Sequence, residues 1–371
     1  MTTRWGALAL VCVSCGGLAT EPSGGEPRST DLELVAGTSS SCALQDGEVE
    51  CWGSLDFSLE NHDAPVQVTP RVVEIPGEVV SVSAGGHHWC AITADRSAWC
   101  WGMNNQAQVG HVATDHEGPT RITSLDGRVA QLDAGSFSSC ALTLDGEVYC
   151  WGYTALGVVP GGDDEKVSEP RLIEGFVEPV IQVEVGNTRA CALTRSGAVK
   201  CWGYQALEDT LATAPQPFQL VQLPSLESGV ARLLPMRERL SCVLMLDATV
   251  RCSGITFLPG VAPSQVVELP AARGVVDGGA GNGFACLLDT EGTVACLGRA
   301  DLGRLGVEPP QAEALADFQF PRIEGVERIS VGDAHVCVQN ASGPYCWGSN
   351  EYAQLGKQAP SYEWLPQHLQ L

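Results

Sequence analysis

Seven pairs of cysteines recur along this chain of 371 residues: Cys42 and Cys51, Cys90 and Cys100, Cys140 and Cys150, Cys191 and Cys201, Cys242 and Cys252, Cys286 and Cys296, and Cys337 and Cys346. Partners stand nine or ten positions apart, and successive pairs begin about every fifty residues, a period that marks a repeat architecture. Thiols so spaced have two chemistries open to them, a cross-link or a metal. Zinc sites favour cysteines two to four residues apart, with further ligands to complete four. Close pairs are absent from the repeats, and the seven histidines do not follow the cysteines. The spacing points to seven disulfides, and hence to an oxidising compartment.

Other side chains with chemical potential are few. His87 and His88 precede Cys90, and His335 precedes Cys337. Neighbouring strand residues point to opposite faces, so His87 and His88 cannot chelate one metal. His88 and His335 hold the same slot in their repeats. Asp163, Asp164 and Glu165 follow two glycines and offer carboxylates to calcium, but without the alternating spacing of a dedicated calcium loop. They read as a solvated acidic loop. His111, Asp115, His116 and Glu117 form the densest cluster of possible ligands outside the cysteines, and read as a polar loop tip in preference to a metal site. No phosphate-binding glycine loop, nucleophile elbow or metalloprotease motif is present. The expectation is no catalytic residue, no cofactor and no metal.

The elements that position the cysteines are hairpins. If Cys140 faces Cys150, then Leu142 faces Val148, and Leu144-Asp145-Gly146 is left as a three-residue turn. Such turns close on a residue in the left-handed region, usually glycine. Gly197 and Gly292 hold that place in the fourth and sixth repeats. The first pair is one residue closer, and its turn shrinks to Asp46-Gly47, a strong two-residue signal. Ala94-Asp95-Arg96 and Leu246-Asp247-Ala248 lack the glycine, and Pro344 disturbs the seventh hairpin. Facing residues lie within disulfide range. Alternation puts the cysteines on one face with Leu44, Val49, Leu142, Val148, Leu193 and Val199.

The repeated unit, seen in Val80-Ser-Val-Ser-Ala-Gly85, Cys100-Trp-Gly102, Asn105-Gln-Ala-Gln-Val-Gly110, Cys346-Trp-Gly348 and Asn350-Glu-Tyr-Ala-Gln-Leu-Gly356, resembles the repeat of the regulator of chromosome condensation family. The resemblance runs over residues 32–371 and implies an all-β, seven-bladed β-propeller of antiparallel blades. It also implies a structural hydrogen bond for histidines in the slot of His88 and His335. Trp52, Trp101, Trp151, Trp202 and Trp347 keep the Trp-Gly step, which becomes Ser253-Gly254 and Leu297-Gly298 elsewhere. The Ala-Gly step becomes Leu234-Pro235, which makes the fifth repeat the most divergent.

The first repeat starts at Asp31 without the proline-led strand that precedes its equivalents, and the chain ends in Trp364-Leu-Pro-Gln-His-Leu-Gln-Leu371. This tail is expected to supply the missing strand of the first blade, so that the ring closes by pairing of the N- and C-terminal strands.

Residues 1–14 read as a signal peptide: one positive charge, a short apolar run and small residues before Cys15. The site is similar to a bacterial lipoprotein cleavage box, with Cys15 as the lipidated residue, although Cys12 stands where leucine is usual. Plain secretion is the alternative. Residues 15–31 are a Gly-, Pro- and Ser-rich tether. The expected location is a bacterial outer membrane or cell surface, otherwise the periplasm or the medium. With 44 acidic against 21 basic residues and a formal charge of −23, the chain is a poor match for nucleic acid. The nuclear roles of the eukaryotic family members therefore do not carry over. A secreted β-lactamase-inhibiting protein with the same repeat shows that the family can bind proteins outside the cell. The functional expectation is a monomeric, non-enzymatic binding or scaffold module for a protein or glycan partner, touching membrane only through its lipid. Contact loops are expected at 103–118, 153–169 and 204–217. The rival is a metal-assisted lyase or hydrolase with its site at the central channel.

Overall fold

A computed structural model of the chain describes residues 32–54, 67–111, 116–161, 164–204, 218–237, 240–254, 265–269, 274–308, 314–358 and 361–369. These residues form seven four-stranded antiparallel sheets, each built from consecutive strands. In blade 1 the strands are Glu33–Ala36, Ser40–Gln45, Glu48–Gly53 and Gln67–Val72. The first strands of successive blades touch one another, so they form the inner wall of a ring and the fourth strands its rim. The architecture is the seven-bladed propeller expected from the sequence.

The hairpins have the register that the cysteine spacing predicts. Cys140 lies opposite Cys150 and Leu142 opposite Val148, and the other cysteine pairs also face each other. Disulfides join all seven pairs, with Cα–Cα separations from 4.0 Å at Cys191–Cys201 to 4.2 Å at Cys337–Cys346. The turn glycines Gly146, Gly197 and Gly292 have φ of 82°, 83° and 78°. Arg96 and Ala248, which replace glycine in blades 2 and 5, are held at φ 64° and 61°. The turn geometry thus persists against the preference of the residue.

A second glycine is more constant than the tryptophan beside it. The glycine of the Trp-Gly step has positive φ in every blade, from 83° at Gly254 to 113° at Gly152, including the two blades that lost the tryptophan. It sits at the irregularity where the third strand leaves the register of the fourth. A Cβ at Gly152 would stand 2.5 Å from the Phe137 carbonyl oxygen. No side chain fits there.

Blade-to-blade packing repeats one contact. The disulfide of each blade, flanked by a facing Leu and Val in five of the seven, presses on the inner strand and the Trp-Gly slot of the next blade. Cys140 and Cys150 meet Trp202, Cys90 and Cys100 meet Trp151, and Cys42 and Cys51 meet Trp101. At the seam, Cys337 and Cys346 meet Leu32, Leu34, Ala43 and Trp52.

Ring closure differs from the sequence expectation. The C-terminal strand Tyr362–His368 pairs with Gly343–Ser349 of its own blade, and blade 1 takes its rim strand from Gln67–Val72. The proline-led strands belong to the blade before them: His116–Arg121, for example, pairs with Ala98–Met103. Blade 1 therefore lacks nothing, and the seam closes by side-chain packing and hydrogen bonds. Asp333 N donates to Gly37 O (3.1 Å) and Ala36 N to Ser330 Oγ (2.9 Å). Leu369 of the tail joins the cluster around Trp52.

The strained turn of blade 5 gives a direct test. Replacing Ala248 by glycine should raise the urea unfolding midpoint, by about 0.5–1 kcal/mol in stability, because a left-handed L-residue costs more than the chain entropy that glycine adds. An unchanged or lower midpoint would contradict the assigned turn.

Candidate functional site

The alternating pattern of the inner strands places polar residues at two levels of the channel. Opposite the first cysteine of each blade lie Val35, Ser83, Asp133, Glu184, Gly279 and Ser330. Leu234 takes that place in blade 5, with its amide bonded to Cys242 O. Two residues earlier come Glu33, Ser81, Gln131, Gln182, Arg232, Asp277 and Arg328.

The lower ring neutralises itself between neighbours. Arg232 of blade 5 meets Asp277 of blade 6 at 2.6 Å, both about one-tenth exposed. Arg328 of blade 7 lowers the pKa of Glu33 in blade 1, against a larger upward push from burial. The amides stitch backbones together. Gln131 exchanges two hydrogen bonds with the Val183 peptide (2.7 and 2.9 Å), and Gln182 does so with Leu233 (2.9 and 2.8 Å).

In the upper ring two carboxyls stand in adjacent blades. Asp133 accepts hydrogen bonds from Ser83 Oγ and Val185 N, both at 2.6 Å, and Glu184 accepts from Gln182 Nε2 at 3.0 Å. Burial pushes Asp133 up to about 6, in spite of those hydrogen bonds. Burial, then the charge of Asp133, raises Glu184 well above its ordinary range. Desolvation thus disfavours the charged form of both carboxyls, and the charge on Asp133 adds to the effect at Glu184.

At the loop side, His88 and His335 are fully buried and each reaches a serine of the next blade: His88 Nε2 to Ser139 Oγ at 2.7 Å and His335 Nε2 to Ser41 Oγ at 2.9 Å. Each serine spends its proton on a carbonyl, Gln108 O (2.8 Å) or Gln354 O (2.9 Å). The histidine must then be the donor, which fixes the Nε2–H tautomer. The same carbonyls accept from Trp151 Nε1 and Trp52 Nε1, each at 2.9 Å. Burial, with smaller contributions from nearby positive charge, lowers both imidazoles to about 3. In blade 4 the slot holds Arg189, whose guanidinium donates to Ser241 Oγ (2.6 Å) and Ser253 Oγ (3.2 Å). Ser253 stands where other blades have tryptophan, and both serines line a small void of about 10 Å³.

The loops on this face are tightly turned. Asn104 Oδ1 accepts from Val109 N (3.0 Å) and Asn104 Nδ2 donates to His111 O (2.7 Å); Asn350 does the same with Leu355 N and Lys357 O, both at 2.9 Å. Asn104, not Asn105, is therefore the equivalent of Asn350. Asp164 pairs with Arg171 at 2.7 Å and Glu165 is exposed. Asp163, Asp115, the side chains of His116 and Glu117, and residues 205–217 lie outside the described residues, as do 1–31 with Cys15. His111 is exposed. Among the described residues no group of three or more His, Cys, Asp or Glu side chains is arranged to hold a metal, and no helix is long and apolar enough to cross a membrane. Sequence reading missed the Asp133–Glu184 pair. Its signal was an acidic residue seven positions before the first cysteine in two successive repeats.

These groups act on stability with opposite signs. Histidines depressed from 6.5 to about 3 leave stability intact above pH 6.5, and it is lost as pH falls towards 3, at up to about 1.4 kcal/mol per unit for each. The raised carboxyls favour the fold at low pH and oppose it as pH rises through their folded values. Glu184→Gln keeps the acceptor for Gln182 and removes the charge. It should raise the melting temperature at pH 7.5 by about 2–4 °C, with the gain shrinking towards pH 4. A gain independent of pH would contradict the buried carboxyl pair.

Two models of the regulator of chromosome condensation repeat match the chain, one over residues 79–108 and 129–157, the other over 97–142 and 145–193. The E3 ubiquitin-protein ligase HERC2 of Homo sapiens is 31% identical over 167 residues, 43% of this chain, and that of Mus musculus is 30% identical over the same length. The chain spans about 3% of the length of these curated relatives. Yeast RCC1 (Prp20), in its complex with Kap60, superposes with a TM-score of 0.75 at 18% identity, covering 92% of this chain and 85% of that one. The CRINKLY ectodomain of the Arabidopsis thaliana receptor kinase ACR4 gives 0.53 at 17% identity, covering 90% and 99%. At such identities the likeness is one of fold. The chain thus carries regulator of chromosome condensation repeats within residues 79–193, and its ring of seven blades with a cysteine pair in each fits a disulfide-paired form of that repeat.

Proposed function

We propose that this propeller is a non-enzymatic binding or scaffold module, exported and anchored through Cys15, which presents its loop face to a protein or glycan partner at a bacterial cell envelope. The observation that carries this reading is the arrangement of connections. In an antiparallel blade the first-to-second and third-to-fourth connections leave from one face, and the hairpin turns from the other. The third strands Ala98–Met103, Val148–Tyr153 and Val199–Gly203 thus all end on one face, on a ring whose seven hairpins are cross-linked. Loops on a rigid scaffold are where recognition is usually placed.

Charge supports a protein or glycan over nucleic acid: a net −23 repels phosphate. The disulfides support an oxidising compartment. The yeast neighbour was solved bound to another protein, Kap60. The channel serves structure: its lower ring is paired, and its amides hold neighbouring backbones.

Anchoring and face are separable by experiment. Cys15→Ser should move the protein from the membrane fraction to the soluble fraction and remove the acyl mass from its N-terminal peptide. Photo-crosslinkers at the exposed Glu165 and Tyr352, on the loop face, should capture a partner on intact cells; those at Leu144 and Leu246, in the hairpin turns, should not. The reverse pattern would place recognition on the other face.

A further inference from the structure

Blade 5 departs from the repeat where its inner strand meets the second strand. In six blades the upper-ring residue precedes the first cysteine by seven positions; in blade 5, Leu234 precedes Cys242 by eight. The connection between Val230–Leu233 and Ser241–Met245 is correspondingly longer, and Arg237 projects from it. Among the described residues its guanidinium bonds to other blades. Nη2 donates to Ala36 O at 3.1 Å and Nη1 to Ala84 O, the last residues of the inner strands of blades 1 and 2.

In a ring of seven, those are the two blades opposite blade 5, so the side chain crosses the axis. Its charge is felt all round the mouth: it lowers the pKa of Asp133, Glu184 and Asp333, and opposes protonation of His88 and His335. These belong to blades 3, 4, 7, 2 and 7. A cation near the axis, in front of two buried carboxyls and held by two carbonyl oxygens, occupies a site of matching chemistry. The planar fork of a guanidinium can serve both carbonyls at once, where an ammonium presents a point charge.

We infer that the loop-side mouth of the channel is a guanidinium seat, filled by the chain's own Arg237, which acts as a latch tying blade 5 to blades 1 and 2. The latch goes beyond the proposed partner binding and does not depend on it. It fastens the most divergent blade, whose Trp slot holds serine and whose Ala-Gly step is lost, to the far side of the ring.

The test is chemical rescue of the full-length, oxidised protein. Arg237→Ala should lower the melting temperature by about 3–5 °C and speed amide exchange in the inner strands of blades 1 and 2. Millimolar methylguanidinium should restore both saturably in the variant and leave the wild type unmoved. Arg237→Lys, which keeps the charge and is the milder change should the alanine variant fold poorly, should recover only part of the loss. The seat is refuted by wild-type melting and exchange in Arg237→Ala, by a Lys variant that matches the wild type, by equal rescue with methylammonium, or by an equal effect of methylguanidinium on the wild type.

Discussion

Each junction of the ring rests on one contact, a disulfide pressed against the inner strand and third-strand slot of the following blade. A four-stranded sheet of this size has two faces and buries neither alone; stacking neighbours buries both, as in other repeat folds. The cysteines stand 0–2% exposed at these interfaces, so each cross-link is also packing material. A closed local ring of about ten residues contributes at most about 2–3 kcal/mol by loop entropy. The larger effect is on register: a slip of one residue would turn the cysteines and their Leu and Val companions to the wrong face.

The same constraint explains how the ring closes. A strand exchanged between the chain ends is unnecessary when the seam is chemically the same as the interior junctions. Trp52 Nε1 reaches Gln354 O across the seam as Trp151 Nε1 reaches Gln108 O inside the ring. The serine–histidine bond of blades 2 and 3 is repeated between blades 7 and 1. Where the pattern fails, the junction changes. Leu297 fills the slot in blade 6, and in blade 5 Arg189 reaches over from blade 4 to Ser241 and Ser253.

Local features were legible in the sequence because they are encoded within ten residues: the cysteine register, the turn lengths, the left-handed positions and the count of blades. The assignment of rim strands was not. Pro119-Thr-Arg-Ile122 lies between two hairpins, and nothing in its own residues says that it pairs backwards with Ala98–Met103. The channel was hidden for a related reason. Asp133 finds Ser83 and Val185, and Arg237 finds Ala36 and Ala84, at separations of about fifty to two hundred residues. Only alignment of the repeats on their cysteines brings such residues to a common slot, and only the extra residue before Cys242 marks Arg237 as unusual.

The balance between the two functional readings follows from where ionisable groups lie. The buried carboxyls and imidazoles spend their hydrogen bonds inside the ring: Asp133 on Ser83 and Val185, Glu184 on Gln182, His88 on Ser139 and His335 on Ser41. That commitment suits a rigid platform for recognition better than a channel enzyme. All of it presupposes cross-links confined to single hairpins. Peptide mapping of the unreduced protein by mass spectrometry tests this most directly. The account predicts seven links, each between cysteines nine or ten residues apart; free thiols among these fourteen, or any link between blades, would contradict it.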